Sequence, residues 1–417
     1  MINSLIHPKQ GDKANSVWFD EFLVSLLENR DRTGLTEMIR EIDALMLTVE
    51  PGCSTAYISE LALMTPYHYL VTLESESHWT HVLRIDMESP DLLVREVRDP
   101  SRSDIFRTLN EGFPIGAHKP NSRYMGEIFR VSNLQAVVEQ QKAREIRFFN
   151  QDQIRKLELP GNLAMVKPSP YTHNVVAYWE RPIEDMRVYA LGNSVIFDDV
   201  NRAYLQAKEI QEQLGLDKLI KPIDHLATRV YSQNREMAIL EYLTLSSYYY
   251  WGSYDIASQN SSTNVTKSIH YHEERISPAK VFTAANQPYF VNHLVGLPSP
   301  TESFVRNYGP RLHHLALEVA DGEINGQANI DYVVQAIRAR GKDFLLDVIG
   351  SREEGLKQIF SSASEHSSLI VEYVQRFGGF DGFFTKQNVA ELTHAAGVEE
   401  SLRLLQAESE AANPVAA

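Results

Sequence analysis

The strongest constraint on how this chain can fold is an internal repeat. Arg123-Tyr124-Met125-Gly126-Glu127-Ile128-Phe129-Arg130-Val131 can be laid on Arg311-Leu312-His313-His314-Leu315-Ala316-Leu317-Glu318-Val319, and each run is followed by a helical pattern, Leu134 to Lys142 or Ile330 to Arg338. Arg144-Glu145-Ile146-Arg147-Phe148-Phe149 then matches Gly341-Lys342-Asp343-Phe344-Leu345-Leu346. Both copies close on a strand, Val176-Ala177-Tyr178-Trp179-Glu180-Arg181 matching Val371-Glu372-Tyr373-Val374-Gln375-Arg376. A recurring strand-helix-strands unit cannot bury its apolar face alone, so the repeat predicts modules joined into larger sheets. From Gly126 to Ala177 is 51 residues and from His314 to Glu372 is 58, and the polar, Gly-containing stretch 321–329 absorbs the difference as a loop.

Within this frame His314 and Glu372 stand where the first copy has Gly126 and Ala177. A further histidine, His225 in Ile223-Asp224-His225-Leu226, shares their setting, since each of the three lies in a short apolar run of strand character. Two imidazoles and one carboxylate can hold a non-haem Fe(II) on one face and leave the other positions for substrate and O2. An unpaired carboxylate inside an apolar strand is costly, and a metal compensates its charge. Blander readings also fit: His225 as a polar strand-start residue bonded to backbone, and Glu372 as the partner of Arg376. Successive strand residues point to opposite faces, so only one of His313 and His314 is expected to face a metal, the other lying at the pocket edge or the surface. His270 and His272 place two more imidazoles on one strand face, an alternative metal pair of the cupin type, but no well-spaced carboxylate follows them.

Composition narrows the classes. At 417 residues, two domains of about 200 residues each are expected. The net charge of -15 without a basic stripe argues against nucleic acid as a partner. The single cysteine, Cys53, excludes an intrachain disulfide framework and thiolate clusters, and fits a reducing compartment. Met1 to Ser16 has no apolar core of a signal peptide, and no window reaches the ~18 apolar residues of a membrane span, so a soluble, cytoplasmic protein with no membrane partner is expected. The sequons at Asn260 and Asn264 matter only in a secreted protein.

Periodicity predicts amphipathic helices over Val17–Leu27 and Glu37–Leu47, hence a helical extension over 1–50. Strand patterns follow between 55 and 100, clearest at Tyr67–Leu73 and His81–Ile85. A helix over Asp199–Leu214 ending in Gly215 places a domain boundary there, giving an N-terminal domain over 51–215 and a C-terminal one over 216–417. The Tyr248-Tyr249-Tyr250-Trp251 cluster has the aromatic character of a base-stacking platform, but without a basic groove it reads as packing at a helix end. The small, polar tail 408–417 is expected to be disordered.

At the three candidate ligands, at Gly355-Leu356-Lys357-Gln358-Ile359-Phe360, at Val371 to Arg376 and at Gly379-Phe380-Asp381-Gly382-Phe383-Phe384 before a terminal helix, the chain resembles the vicinal oxygen chelate superfamily. Within it the 4-hydroxyphenylpyruvate dioxygenase family is most similar, over about residues 220 to 395. The resemblance implies an α+β fold of two vicinal-oxygen-chelate domains, each of paired βαβββ modules forming an open barrel-like sheet, with an inactive N-terminal half. It implies Fe(II) on His225, His314 and Glu372, and oxidative decarboxylation and hydroxylation of an aryl or other 2-oxo acid by O2. Gln358 then takes a catalytic role, orienting substrate, and Ser268, Asn292, His313, Phe360, Phe380, Phe384 and Asn388 border the pocket. A homo-dimer or tetramer is also implied. The family's glutamine before the second histidine is His313 here, and a further one upstream falls near Glu302; only Gln358 matches. Hydroxymandelate formation, a non-aromatic 2-oxo acid, extradiol cleavage of a catechol, and ligand binding without catalysis therefore stand beside the leading reading.

Overall fold

The computed structural model describes residues 13–99, 105–181, 187–270, 277–288, 291–292, 297–345, 347–380 and 382–398. They build two eight-stranded mixed sheets with equivalent strand orders. The N-terminal sheet runs Leu163–Met165, Val175–Glu180, Arg123–Val131, Ile39–Val49, Asp91–Val97, His78–Arg84, His68–Glu74, Asn193–Val195. The C-terminal sheet, read from its other edge, runs Ile349–Ser351, Leu356–Phe360, Ile370–Arg376, Arg311–Val319, Ile220–Arg229, Ala279–Ala284, Ser261–Ser268, Tyr248–Ile256. At the centre of each sheet an antiparallel pair joins two modules, and a parallel neighbour flanks it on either side. Parallel neighbours need a crossover, which helices Ser54–Met64 and Arg235–Leu245 supply in the leading module of each sheet.

The register bears out the repeat. Gly126 pairs with Val175 and Ile128 with Ala177, as His314 pairs with Ile370 and Ala316 with Glu372. The repeat also reaches further back than the sequence match above. Ala44 pairs with Ile128 as His225 pairs with Ala316, so Ile42-Asp43-Ala44-Leu45 is the counterpart of Ile223-Asp224-His225-Leu226. Each copy is entered through a left-handed glycine, Gly34 at φ 74° and Gly215 at φ 68°, a conformation glycine adopts without steric cost.

This register corrects the expected helix over Glu37–Leu47, which is strand Ile39–Val49. The i, i+3 spacing of Ile39, Ile42 and Leu45 mimics a helix because the strand is central and apolar on both faces, which erases the alternation that marks a half-exposed strand. Ala44 and Met46 face the interior of the N-terminal sheet, whereas Leu45 and Leu47 join the core shared by both halves. The helical extension is thus Lys13–Arg32, which contains the expected Val17–Leu27 segment. Its buried Arg30 donates to the carbonyls of Leu243 and Ser246, both at 3.0 Å, satisfying orphan groups at the end of helix Arg235–Leu245. The tyrosine cluster begins edge strand Tyr248–Ile256 rather than ending a helix, and the Tyr248 hydroxyl donates to the Pro278 carbonyl at 2.7 Å.

One apolar cluster runs through both halves, taking Phe129 and Tyr178 from the first and Leu226, Phe282 and Tyr373 from the second. Separate clusters fill the interior of each sheet. Among the described residues no helix is long and apolar enough to cross a membrane.

An ion pair recurs in the two copies, buried in the first and half-buried in the second. Arg181 donates to Asp43 at 2.8 and 2.6 Å, and Arg376 donates to Asp224 at 2.6 and 3.2 Å. Burial raises the Asp43 carboxyl above its ordinary value despite Arg181, whereas at Asp224 the charge of Arg376 and the His225 contact outweigh burial and hold it well below the carboxylate range. Breaking a buried pair leaves an uncompensated charge, so Asp43→Ala is expected to cost about 3–5 kcal/mol in urea denaturation. It should leave metal uptake by the C-terminal half unchanged; wild-type stability would show that the pair is not holding this end of the sheet.

Candidate metal centre

His225, Ala316 and Glu372 form one lateral row across three adjacent strands, His225 paired with Ala316 and Ala316 with Glu372. Two strand spacings separate the outer residues by about 10 Å, and the methyl group between them leaves room for both side chains to lean inward. His314 lies two residues before Ala316 and so shares its face. Oε2 of Glu372 is 3.1 Å from Nε2 of His225 and 3.2 Å from Nε2 of His314, and the three ligand atoms lie within 4.8 Å of one another. All three residues are buried.

Each imidazole is held from behind. Nδ1 of His225 is 2.7 Å from Oδ1 of Asp224, and Nδ1 of His314 is 2.9 Å from Nδ1 of His313. Both rings therefore turn Nε2 to the centre while a second group fixes the other nitrogen, as outer groups do for metal-ligating histidines. To offer an Nε2 lone pair, neutral His314 carries its proton on Nδ1 and donates it to His313. Burial alone would depress His225, but Glu372 and Asp224 outweigh it and hold the imidazole at about 9. At His314 burial wins and the imidazole is lowered. Glu372 stays below its ordinary value against burial, because His225 and His314 face it.

The residues fit a metal ion. Oε1 of Glu372 is buried without a hydrogen-bond partner, and Nε2 of His225 meets only the other oxygen of the same carboxylate, an arrangement native interiors rarely leave uncompensated. Two imidazole nitrogens and a carboxylate suit a first-row divalent cation. In the N-terminal half the same row reads Ala44, Ile128, Ala177, with the large and small side chains exchanged. A Cβ at Gly126, the counterpart of His314, would lie 1.8 Å from the Val175 carbonyl oxygen, so no ligand side chain fits there.

A cavity of about 50 Å³ adjoins the centre. Of the residues expected at the pocket, Gln358, Phe360, Phe384 and His313 border it. Gln358 is fully buried and neither its Oε1 nor its Nε2 has a partner. The Phe360 ring lies 4.7 Å from that of His314, and the Phe384 ring 5.2 Å from that of His225. His313 borders the same cavity without joining the three ligands, the pocket-edge position of the two expected for it, at a register shift between Leu312 and His314 that interrupts the alternation.

Other expectations are displaced. Ser268 points away: Thr263 and Val265 of its strand face the interior, so parity turns Ser268 outward, where its hydroxyl accepts from the His270 amide at 3.2 Å. Asn388 is a tie rather than a wall, its Nδ2 donating to the Leu356 carbonyl at 3.3 Å. The Phe380 ring is drawn outside the cavity to Gly355, where an added Cβ would come within 2.5 Å of it. Asn292 belongs to the short strand Val291–Asn292, paired with Leu297–Pro298, and its side chain lies outside the described residues. Nε2 of His270 is 3.2 Å from the Ile39 carbonyl oxygen; Tyr271, His272, Asp381 and the tail 408–417 lie outside the described residues. Buried Glu302 accepts from Arg306 at 3.0 Å, while its neighbour Thr301 borders the cavity. Arg229 and Thr283 border it too and were not foreseen, although a period of two from His225 through Ala227 reaches Arg229.

Both His225→Ala and Ala316→Ile are expected to abolish stoichiometric uptake of divalent metal, measured by elemental analysis after reconstitution. The first removes a ligand and the second fills the gap between two of them. Full occupancy in either folded variant refutes the centre.

No protein-family model and no curated protein matches the sequence. Solved structures do. A variant of 4-hydroxymandelate synthase from Streptomyces coelicolor superposes with a TM-score of 0.59 at 14% identity, over 87% of this chain and 99% of that one. A xylose isomerase-like TIM barrel/4-hydroxyphenylpyruvate dioxygenase fusion protein gives a TM-score of 0.52 at 14% identity, over 86% of this chain and 52% of that longer one. With its duplicated modules, central antiparallel pairs and shared strand order, the chain has the two-domain vicinal oxygen chelate fold.

Proposed function

We propose that the protein is an Fe(II)-dependent dioxygenase that oxidatively decarboxylates and hydroxylates a 2-oxo acid. In this reading residues 216–417 form the catalytic domain, and the N-terminal sheet, from its central strand Ile39–Val49 to Asn193–Val195, a partner domain without metal. The observation that carries it is the buried His225, His314 and Glu372 cluster, with an unpartnered carboxylate oxygen at its centre, beside a cavity that also holds the unpartnered amide of Gln358. The likeness to a hydroxymandelate synthase and to a 4-hydroxyphenylpyruvate dioxygenase fusion supports this class of chemistry.

His225, His314 and Glu372 would hold the metal, which supplies open positions for the 2-oxo acid and O2 and the electrons to activate O2. The chain's own groups do the rest. Asp224 and His313 keep the two imidazoles aimed by their Nδ1 contacts. Gln358 offers an amide donor and acceptor to the substrate's polar head, removing its own burial penalty as it does so. Phe360 and Phe384, packed tilted and edge-on against the ligand rings, exclude water from the reacting carbon. The balance is RCH2COCOOH plus O2 giving RCH(OH)COOH plus CO2: one oxygen atom enters the new carboxyl, the other the hydroxyl, and the C1–C2 bond breaks.

The test is O2 uptake and CO2 release by the Fe(II)-reconstituted protein over a panel of 2-oxo acids that includes 4-hydroxyphenylpyruvate. Equimolar O2 uptake and CO2 release are expected, and Gln358→Met should lower kcat/KM by about tenfold to a hundredfold with metal content unchanged. O2 uptake on catechols without CO2 release moves the reading to extradiol cleavage, and inertness across both panels refutes it.

A further inference from the structure

We propose that Arg229 sets the specificity of this centre by pairing with a second carboxylate of the substrate, so that the substrate class is a short 2-oxo dicarboxylic acid rather than an aryl one; this rests on the function proposed above.

Three observations converge on Arg229. Strand geometry comes first: His225, Ala227 and Arg229 alternate along Ile220–Arg229 and share the face that looks into the C-terminal sheet. The intervening side chain is only a methyl group, and Arg229 borders one cavity with His314 and Glu372. Four residues of strand separate their Cα atoms by about 13 Å, a span that a chelating acid of a few carbons can bridge together with the two side chains.

Position comes second. Arg229 is 5% exposed and borders the same cavity as His314, Glu372 and Gln358. Its guanidinium lies 4.9 Å from the centre of the Phe304 ring, which holds the planar fork in one orientation. Thr263, Thr283 and Thr301 add hydroxyls to the same wall, and Thr283 is the ladder partner of Arg229. A phenol oxygen accepts a single hydrogen bond from a fixed guanidinium, whereas a carboxylate matches it with two parallel charge-assisted hydrogen bonds.

The duplication supplies the third. Part of the polar framework occurs in both copies, as the Asp43–Arg181 and Asp224–Arg376 pairs do. Arg229 does not: its counterpart is Thr48, whose hydroxyl donates to the Arg123 carbonyl at 3.3 Å. The cation is present only in the half that also has His225, His314 and Glu372, as expected of a group retained for substrate.

The decisive experiment uses the full chain loaded with Zn(II), which carries out no redox chemistry, titrated calorimetrically with 2-oxoglutarate and 2-oxoadipate and with the monocarboxylates 2-oxovalerate and 2-oxohexanoate. The dicarboxylates are expected to bind at least about thirtyfold more tightly than the monocarboxylates. Arg229→Met should erase that preference and Arg229→Lys should keep part of it, because a lysine retains the charge but not the fork. If Arg229→Met does not fold, the wild-type preference and the Lys variant decide. Equal binding of both classes, or a preference that survives in Arg229→Met, overturns the inference. The same panel with Fe(II) separates the two levels. Turnover of 4-hydroxyphenylpyruvate alone, indifferent to Arg229, overturns the inference and leaves the proposed function standing. Inertness toward every 2-oxo acid overturns the function, while the Zn(II) titration still judges Arg229 by itself.

Discussion

The centre depends on one packing relation, a methyl group between two long polar side chains in a row that crosses three strands. His225 and Glu372 sit a full two strand spacings apart and meet only because Ala316 leaves the middle of the row open. The N-terminal sheet solves the same packing problem the other way round, with Ile128 filling the middle and Ala44 and Ala177 at the sides. Close packing makes the two solutions exclusive: a row can hold the large residue in the centre or at the flanks. One sheet therefore has an apolar interior and the other a polar centre, on the same backbone plan.

What the two copies keep and what they lose separates architecture from chemistry. Both retain the left-handed glycine at entry, the central antiparallel pair and the carboxylate–guanidinium pair, buried in the first copy and half-buried in the second. A buried ion pair is weak evidence for net stability, but it penalises any register that leaves either charge alone. In the C-terminal copy this structural device has a second use, since Asp224 also holds Nδ1 of His225 and thereby aims the ring. The first copy has the aspartate and arginine still in place and nothing for them to aim.

The cavity shows how far pattern recognition reaches. Gln358, Phe360 and Phe384 were legible only through the family resemblance of the segments that carry them, and they border the cavity. Ser268 was misassigned by a matter of parity, and Asn388 and Phe380 were claimed by local partners, Leu356 and Gly355, that a linear reading cannot see. His313 took the place of an expected glutamine and became the group behind His314, which required a strand irregularity that no periodicity predicts. Strand Ile39–Val49 was read as a helix for the opposite reason: burial on both faces removed the signal.

By itself the sequence determined the duplication, the three candidate ligands and the module order, because these follow from side-chain type at fixed spacing along the chain. Period-two alternation and the apolar runs are local properties, and a local property survives in one dimension. Only the tertiary structure decided that Ala316 opens the row, that Gly126 closes its counterpart, and that Arg229 and Gln358 share a cavity with the ligands. Those facts depend on which strands lie side by side and on the space left between them, and lateral distance across a sheet is written nowhere in the spacing along one strand.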